Sequence, residues 1–558
     1  MSQTVPSMQR AVQLVGPDRL ALNEAKPLTE PGPHRILCKV VVVGLCFSDL
    51  KLLKQFSGHL RKADVVSGVD PAVLRDLPSY VPGEAPTVPG HEPVVEIVKV
   101  GPGVTRFKPG ERYFIQADWR WVRTSTRTNG AFGYNFEGAL QEYVLLDERI
   151  VVSPDGESML LPAPEGRRSA AAYALVEPWA CVENSYRVRE RRAPKAGGRM
   201  LIVAESEPDA AALRRFLESS PRPAAITWAS ARPVPAGLPA PVEAVAALDA
   251  APAGAFDDVL YFGHDPATAE AIFSRAALNA MLLFMTGGRA FGRPVEIALG
   301  AVHYRGHRLA GTTGNDPAAA AATIPETGEI RRGERVQVVG AGGPMGVMHV
   351  IRDLCQGVPG VTVYATDLSD ERLAALDGLA RPAARENGVD YRSYNPKTTT
   401  PAVDFGYIVI MAPVPALVAA AVRQAAPRGI VNIFAGIAVD KTGPIDLDAY
   451  CSKGLYFIGT SGSVMDDMRT VLAKVEQGRL DTNVSVAAVS GLDGAVEGIR
   501  AVEKQLVPGK IMVYPACRGL GLTPLSGLAA VAPEAAAALR DGVWTMESER
   551  ALLARFAR

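Results

Sequence analysis

The stretch Arg335–Gly346, RVQVVGAGGPMG, carries the residues whose types and spacing point most directly to chemistry. Gly340, Gly342, Gly343 and Gly346 crowd one turn. Glycines there let the backbone pass close to a pyrophosphate, which sits on free amide groups at a helix's positive end. Asp367 stands 21 residues after Gly346. An acid at that place accepts hydrogen bonds from a ribose 2′-hydroxyl and repels a 2′-phosphate. The elements that must position these groups are also legible. Val336 to Val339 reads as a buried parallel strand, Val347 to Ile351 as the start of a helix, and Val361 to Thr366 as a second strand. A glycine cluster alone fits a tight turn equally well. Flanked by strand, helix and acid, it points to a dinucleotide site that prefers NAD to NADP.

Two further segments adjoin strands in the first 195 residues. Gly44-Leu45-Cys46-Phe47-Ser48-Asp49 follows the strand candidate Arg35 to Val43, and Pro89-Gly90-His91-Glu92 precedes the candidate Val94 to Val100. A third segment, Glu177-Pro178-Trp179-Ala180-Cys181, closes the region. Gln141 to Leu146 is another strand candidate, and Gly/Pro turns at 82–90 and 101–110 mark this part as mostly β-structure.

GLCFSD, GHE, a later EP and a following Rossmann unit, in this order, resemble the zinc-containing medium-chain alcohol and polyol dehydrogenases. The wording of GLCFSDLK, GAFGYNFEGALQEY, EPWACVE and GAGGPMG resembles the L-sorbose 1-phosphate reductase branch. The resemblance implies a GroES-like domain for the metal and a Rossmann domain for the nicotinamide. It implies Cys46, His91 and Glu177 as zinc ligands, with Glu92 as an acid beside the metal able to exchange into its coordination sphere. Thiolate, imidazole and carboxylate with one open position suit a catalytic rather than a closed structural site. Ser48 would pass a proton between zinc-bound oxygen and solvent, and Asp49 would orient a ligand. Ala412, Ala435 and Gly436, in the loops after two later strands, would face the nicotinamide ring. Singly, each of these residues also fits a bland role: a cysteine after a strand as a small buried hydrophobe, a glutamate before proline as a surface residue.

Two departures from the family pattern stand out. Cys46 and His91 lie 45 residues apart, longer than usual, and the excess at about 58–86 reads as a turn-rich loop near the site mouth. The span Gln116 to Gly138 holds no cysteine, so one catalytic zinc and no structural zinc is expected. That span does hold Arg120, Arg123 and Arg127 around Trp119 and Trp121. It reads either as a solvated loop or as a clamp for a substrate phosphate.

An internal repeat shapes the rest. Arg199 to Val203 mirrors Arg335 to Val339, and Ala301–Gly306 with Gly311–Gly314 returns 148 positions on as Ala449–Gly454 with Gly459-Thr460-Ser461-Gly462. The expected fold class is therefore α/β, with an N-terminal GroES-like β domain and two tandem Rossmann-like doubly wound parallel-sheet units. The first unit is degenerate. It has Ala204, Glu205, Ser206, Glu207 and Ala210 where the second has its glycines, and two carboxylates repel a pyrophosphate. The expected divisions are 1–195 (zinc catalytic domain), 196–316 (degenerate repeat), 317–465 (NAD-binding domain), 466–517 (return to the catalytic domain, with Lys510 in its closing strand) and 518–558 (helical tail). The degenerate copy would pair its edge strand near Arg308–Thr312 with that near Tyr456–Thr460, an intrachain pseudo-dimer.

Composition narrows the class. The 558 residues are 48% hydrophobic and 21% charged, with 59 basic against 59 acidic side chains, which leaves no footprint for nucleic acid or an anionic membrane. No run reaches the ~20 apolar residues of a membrane helix, and the N-terminal residues lack a signal-peptide core. Six scattered cysteines make no disulfide framework, so a cytoplasmic location is expected. Together these readings predict an NAD-dependent zinc oxidoreductase acting on a polyol or sugar, phosphorylated or not. The alternatives are a dehydrogenase of another secondary alcohol and a non-catalytic NAD-binding sensor.

Overall fold

A computed structural model describes residues 5–219, 221–460 and 462–557. Ser461 of the repeat and the first four residues of the N-terminal stretch lie outside the described residues. The chain forms two units, Met1–Ala180 with Ser463–Arg558, and Cys181–Gly462.

The first unit is built on an eight-stranded sheet. Its order runs Leu160–Pro162, Arg112–Ile115, Glu92–Val100, Arg35–Gly44, Lys510–Val513, Val486–Ser490 and Thr523–Pro524, with Tyr143–Asp147 also paired to Arg35–Gly44. Arg35–Gly44 is rich in β-branched residues and mostly buried, as a central strand demands. Its antiparallel partner Glu92–Val100 sets Gly44 opposite Glu92, while Met512 of the returning strand pairs with Gly44 from the other side. Three segments far apart in sequence thus meet at one strand end.

The stretch read as a loop at 58–86 is structured. It contains the 3-10 turn Leu60–Lys62, the strand Val65–Ser67 and the helix Pro71–Arg75, and the strand joins Asp118–Thr124 and Asn129–Ala131 in a three-stranded sheet. Two features hold it. Lys62 is fully buried and its ammonium donates to the carbonyls of Val81 and, at 2.8 Å, Ala85. Gly68 has φ +91°, and a Cβ there would stand 1.9 Å from the Trp121 carbonyl oxygen, so only glycine lets the two backbones approach.

The C-terminal residues also belong to this unit. Trp544 is buried and donates to the Tyr514 hydroxyl at 3.1 Å. The Glu549 carboxylate accepts from that hydroxyl at 2.9 Å and from the amides of Ala170 and Ala171 at 2.6 and 3.0 Å. A buried acid on orphan amides stabilises the start of the helix Ala170–Ala174. That helix leads directly into Val176–Arg187, which carries Glu177.

The second unit holds two six-stranded parallel sheets of identical order. One runs Val242–Val245, Ala225–Ala229, Arg199–Ala204, Phe256–Phe262, Ala276–Met285, Arg308–Thr312; the other Asp390–Tyr394, Thr362–Thr366, Arg335–Val339, Phe405–Ile410, Ala425–Ile433, Tyr456–Ile458. Read along the chain, both are 3-2-1-4-5-6, the doubly wound Rossmann order. Even a register shift recurs at the matching strand, between Phe256 and Asp258 and between Phe405 and Tyr407.

One core spans the two halves, taking in Leu282, Phe284 and Leu309 of the first and Tyr450, Leu455 and Phe457 of the second. The expected pairing of the edge strands takes a different form. The edges Arg308–Thr312 and Tyr456–Ile458 pack side by side. Among the described residues, the ladder joining the halves is the antiparallel pair Val295–Ile297 with Gly443–Ile445. The Tyr450 hydroxyl donates to the Leu309 carbonyl at 2.9 Å, so a side chain supplies the hydrogen bond at that edge.

Candidate metal centre and cofactor turn

Cys46 follows the strand end at Gly44 and caps the helix Phe47–Gln55 with extended backbone. Its amide donates to Asp49 Oδ2 at 3.1 Å, and Asp49 Oδ1 lies 3.1 Å from His91 Nδ1. One buried carboxylate therefore closes the helix start and orients the imidazole. In the neutral ring, with Nδ1 donating to Asp49, His91 Nε2 offers its lone pair to a cation, which would displace any second proton. Burial disfavours the imidazolium, but Asp49, Tyr134 and the Cys46 thiol together hold the His91 pKa well above its ordinary value.

Glu92 opens its strand and is fully buried. One carboxylate oxygen accepts from the Lys510 ammonium at 2.5 Å, and the other has no hydrogen-bond partner among the described residues. Lys510 is itself buried. Burial opposes its charge, yet Cys46, Glu92 and Glu177 raise its pKa above the usual lysine range. A Cβ at position 44 would stand 2.4 Å from Glu92 Oε2, so glycine there leaves the carboxylate its place.

Donor atoms of Cys46, His91 and Glu92 all lie within 4.8 Å of one another. A thiol, an imidazole and a carboxylate with an unsatisfied buried oxygen match the S/N/O donors of zinc, so these residues fit the metal that the sequence implies. Glu177 is not in that 4.8 Å set. It lies half-buried in the first turn of its helix, where burial and Glu92 raise its pKa while His91, Lys510 and Arg61 lower it. It shares the field of the cluster. Ser48 lies half-buried in the first turn of the helix that Cys46 caps.

Two of the arginines read as a solvated loop or a clamp meet protein partners. Arg120 donates to the Ser463 carbonyl at 3.0 Å and lies 3.6 Å from Asp118, and Arg123 donates to Asn129. Lys510 is the partner that the sequence reading missed at the site. It lies 418 positions from Glu92, and nothing in PGKIMVY marks it as more than a strand residue.

In the second unit, Gly340 ends the strand Arg335–Val339 with φ +83°. Gly343 caps the helix Pro344–Cys355, whose proline occupies the first turn, where a missing N–H costs nothing. A Cβ on Gly346 would stand 2.5 Å from the Gly340 carbonyl oxygen and 2.8 Å from Ala341 backbone. The Asp367 carboxylate accepts from the Gly342 amide at 3.0 Å and the Ser369 amide at 3.1 Å, so it braces the turn. Ala412, Ala435 and Gly436 follow strands of the same sheet at its carboxyl edge, and the Ala435 amide donates to Ile410 at 2.9 Å. Arg352 anchors the helix from below, 3.2 Å from Glu183 and 2.6 Å from Glu329.

The first sheet's turn differs as its sequence suggests. The Tyr261 hydroxyl donates to the Glu205 carboxylate at 2.5 Å, and a Cβ on Gly263 would meet that carboxylate at 2.4 Å. An acid thus fills the space beside the strand ends.

The geometry thus combines a β unit holding a thiol–imidazole–carboxylate cluster with a Rossmann-like unit holding a glycine turn. Residues 32–155 match the alcohol dehydrogenase GroES-like domain. Beyond that domain, the chain is similar in part to curated alcohol and polyol dehydrogenases. It is 27% identical over 252 residues to the uncharacterized protein YggP of Escherichia coli K12, covering 41% of this chain and 58% of that one. It is 28% identical over 234 residues to L-sorbose 1-phosphate reductase of Klebsiella pneumoniae, covering 40% and 56%. With chicken (Gallus gallus) sorbitol dehydrogenase it shares 34% over 116 residues, 21% of this chain and 26% of the relative. The chain thus spans just over half the length of the first two of these relatives. Its fold is that of 2R,3R-butanediol dehydrogenase from Bacillus subtilis (TM-score 0.51, 16% identity, 91% of this chain and 99% of that one). It is also that of a putative zinc-binding dehydrogenase from Sinorhizobium meliloti 1021, solved with NADP (TM-score 0.50, 15%, 91% and 100%). Among the described residues, no helix is long and apolar enough to cross a membrane.

Proposed function

We propose that the protein is a zinc-dependent oxidoreductase that moves a hydride between NAD(H) and a polyol or ketose, a sugar phosphate such as L-sorbose 1-phosphate included. The observation that carries this reading is the convergence of Cys46, His91 and Glu92 within 4.8 Å, with an unsatisfied Glu92 oxygen. Cys46 and His91 would hold the metal, with Glu177 as the third protein ligand and Glu92 beside it. Zinc supplies a Lewis acid that polarises a hydroxyl or carbonyl oxygen.

The chain's own residues do the rest. Asp49 keeps the His91 ring aligned, and Lys510 holds one Glu92 oxygen in an ion pair. The Ser48 hydroxyl carries the proton between substrate and solvent. Gly340, Gly342, Gly343 and Gly346 admit a pyrophosphate to the helix amides, and Asp367 offers a carboxylate to a ribose hydroxyl and favours NAD over NADP. Ala412, Ala435 and Gly436 flank the nicotinamide. Glu205 supports one nucleotide per chain, since it puts negative charge where the first sheet would have to take phosphates. The six free cysteines support a reducing compartment such as the cytoplasm.

The direct test is metal analysis with a panel of polyols, ketoses and their phosphates followed by NADH absorbance. About one zinc per chain and turnover of at least one sugar alcohol or ketose is the expected result. Metal-free protein that binds NAD and oxidises nothing would leave only the sensor reading.

We further propose that the first Rossmann-like sheet covers the edge that a second chain would otherwise occupy. Size-exclusion chromatography with light scattering is expected to give the mass of one chain. A stable dimer joined through Tyr456–Ile458 would refute this.

A further inference from the structure

The insertion between the helix Phe47–Gln55 and the strand Glu92–Val100 delivers two basic side chains to the metal cluster. The 3-10 turn Leu60–Lys62 sits against Tyr134. The Arg61 guanidinium lies 5.6 Å from the centre of the Tyr134 ring, and the His59 ring 5.1 Å from it. The same ring lies 5.8 Å from the imidazole of His91. One buried aromatic side chain therefore separates the cluster from a guanidinium and an imidazole that the loop provides.

The turn is held firmly. The hydroxyls of Thr126 and Thr128 donate to the Leu60 carbonyl at 2.7 and 3.1 Å, and the buried Lys62 ammonium ties the next residue to Val81 and Ala85. The Arg61 amide donates to His59 Nδ1 at 3.2 Å, which leaves the His59 proton on Nε2 as a donor. Burial, followed by the charges of Arg61 and Lys51, pushes His59 down to about 4, so it is neutral at pH 7.

Arg61 makes a long ion pair and lies in the field of Glu177. Its ion-pair partner among the described residues is Asp118 at 4.0 Å, an acid that also accepts from Asn129 at 2.8 Å and faces Arg120 at 3.6 Å. Its side chain remains about one-third exposed (34%). Stacked on a ring, a guanidinium keeps its fork of donors free for two oxygens of one anion. Arg120 and Arg123, engaged within their own sheet, offer less.

We propose that Arg61, with His59 Nε2–H beside it, forms a subsite for an anionic group on the substrate, so that the protein prefers anionic polyols or ketoses to neutral ones. The inference rests on the dehydrogenase reading above. The shared chemistry is a pair of anionic oxygens, from a phosphate ester or from a carboxylate.

Glucitol, glucitol 6-phosphate and gluconate serve as probes, each measured by NAD reduction and by calorimetric titration of the zinc-loaded protein. In the wild type, one of the two anions binds at least tenfold more tightly than glucitol, and which one identifies the source of the charge. In Arg61→Ala the ratio of anionic to neutral kcat/KM falls at least tenfold, with the change in KM. Arg61→Lys, which keeps the charge but loses the fork, recovers part of it. Equal losses for neutral and anionic probes, or no preference for either anion in the wild type, overturn the subsite while turnover of glucitol leaves the dehydrogenase reading intact. Arg61-dependent binding of an anion with no turnover of any probe does the reverse.

Discussion

Cys46→Ser is expected to strip the protein of zinc and of dehydrogenase activity together while leaving it folded. The thiolate is the softest donor in the cluster, and a serine hydroxyl remains protonated at neutral pH and binds zinc weakly. Loss of an outer partner of a metal ligand costs about 10–100-fold in metal affinity. Loss of a ligand itself should therefore exceed about 100-fold. The fold has little reason to suffer. Cys46 occupies a helix N-cap, where serine is among the best residues, and the bond to Asp49 comes from its backbone amide. Zinc content and release to a chelator, with thermal melting as the control, test this. Cys355→Ser, in a helix of the second unit, should keep its zinc. Asp49→Asn should lie between, losing about 10–100-fold in zinc affinity as His91 loses its orienting carboxylate. A Cys46→Ser protein that holds one zinc as tightly as the wild type would remove this cluster as the metal centre.

The second large effect is expected at Gly346. Helix propensity alone favours alanine there by about 1 kcal/mol. Contact outweighs it. The new Cβ would lie 2.5 Å from the Gly340 carbonyl oxygen and 2.8 Å from Ala341 backbone atoms, none of which can swing aside as a side chain could. The turn must open, and the amides that would face a pyrophosphate lose their alignment. Gly346→Ala should weaken NAD binding by at least 100-fold, about 2.7 kcal/mol, and lower the melting temperature of the second unit. Gly343→Ala separates the causes, because its Cβ would have only the Gly340 carbonyl at 3.9 Å as a neighbour. It should leave melting unchanged and still weaken NAD, since the methyl group would meet the ligand. Unchanged NAD affinity in both variants, by calorimetry, would mean that the nucleotide does not sit on this turn.

Legibility in the sequence followed how local each feature is. The glycine turn and Asp367 could be read because strand, turn, helix and acid lie within about thirty residues, and their spacing is their geometry. The two sheets could be read as a repeat, and their common 3-2-1-4-5-6 order follows from that. The stretch 58–86 was misread as a loop. Its strand Val65–Ser67 exists only against Asp118–Thr124, and the need for Gly68 comes from the Trp121 carbonyl. The arginines could not be placed for the same reason. Clustering along the chain left loop and clamp both open for Arg120 and Arg123; their hydrogen-bond partners are Ser463 and Asn129, whereas Arg61 meets Tyr134 from another segment. The tail shows only Ala-rich helix signals and Trp544, and nothing local tells that Glu549 ends on the amides of Ala170 and Ala171.

The sequence by itself determined the fold class and the glycine turn between strand and helix, and it marked Cys46, His91 and Glu92 as candidates for one site, because each is written in a short motif or a repeat. Only the tertiary structure decided which donors share one point, that Lys510 neutralises Glu92, and that the ladder between the sheets lies at Val295–Ile297 and Gly443–Ile445. Those choices depend on which buried charges and backbone edges find partners hundreds of residues away, and a buried group is stabilised only by what lies within a few ångströms of it.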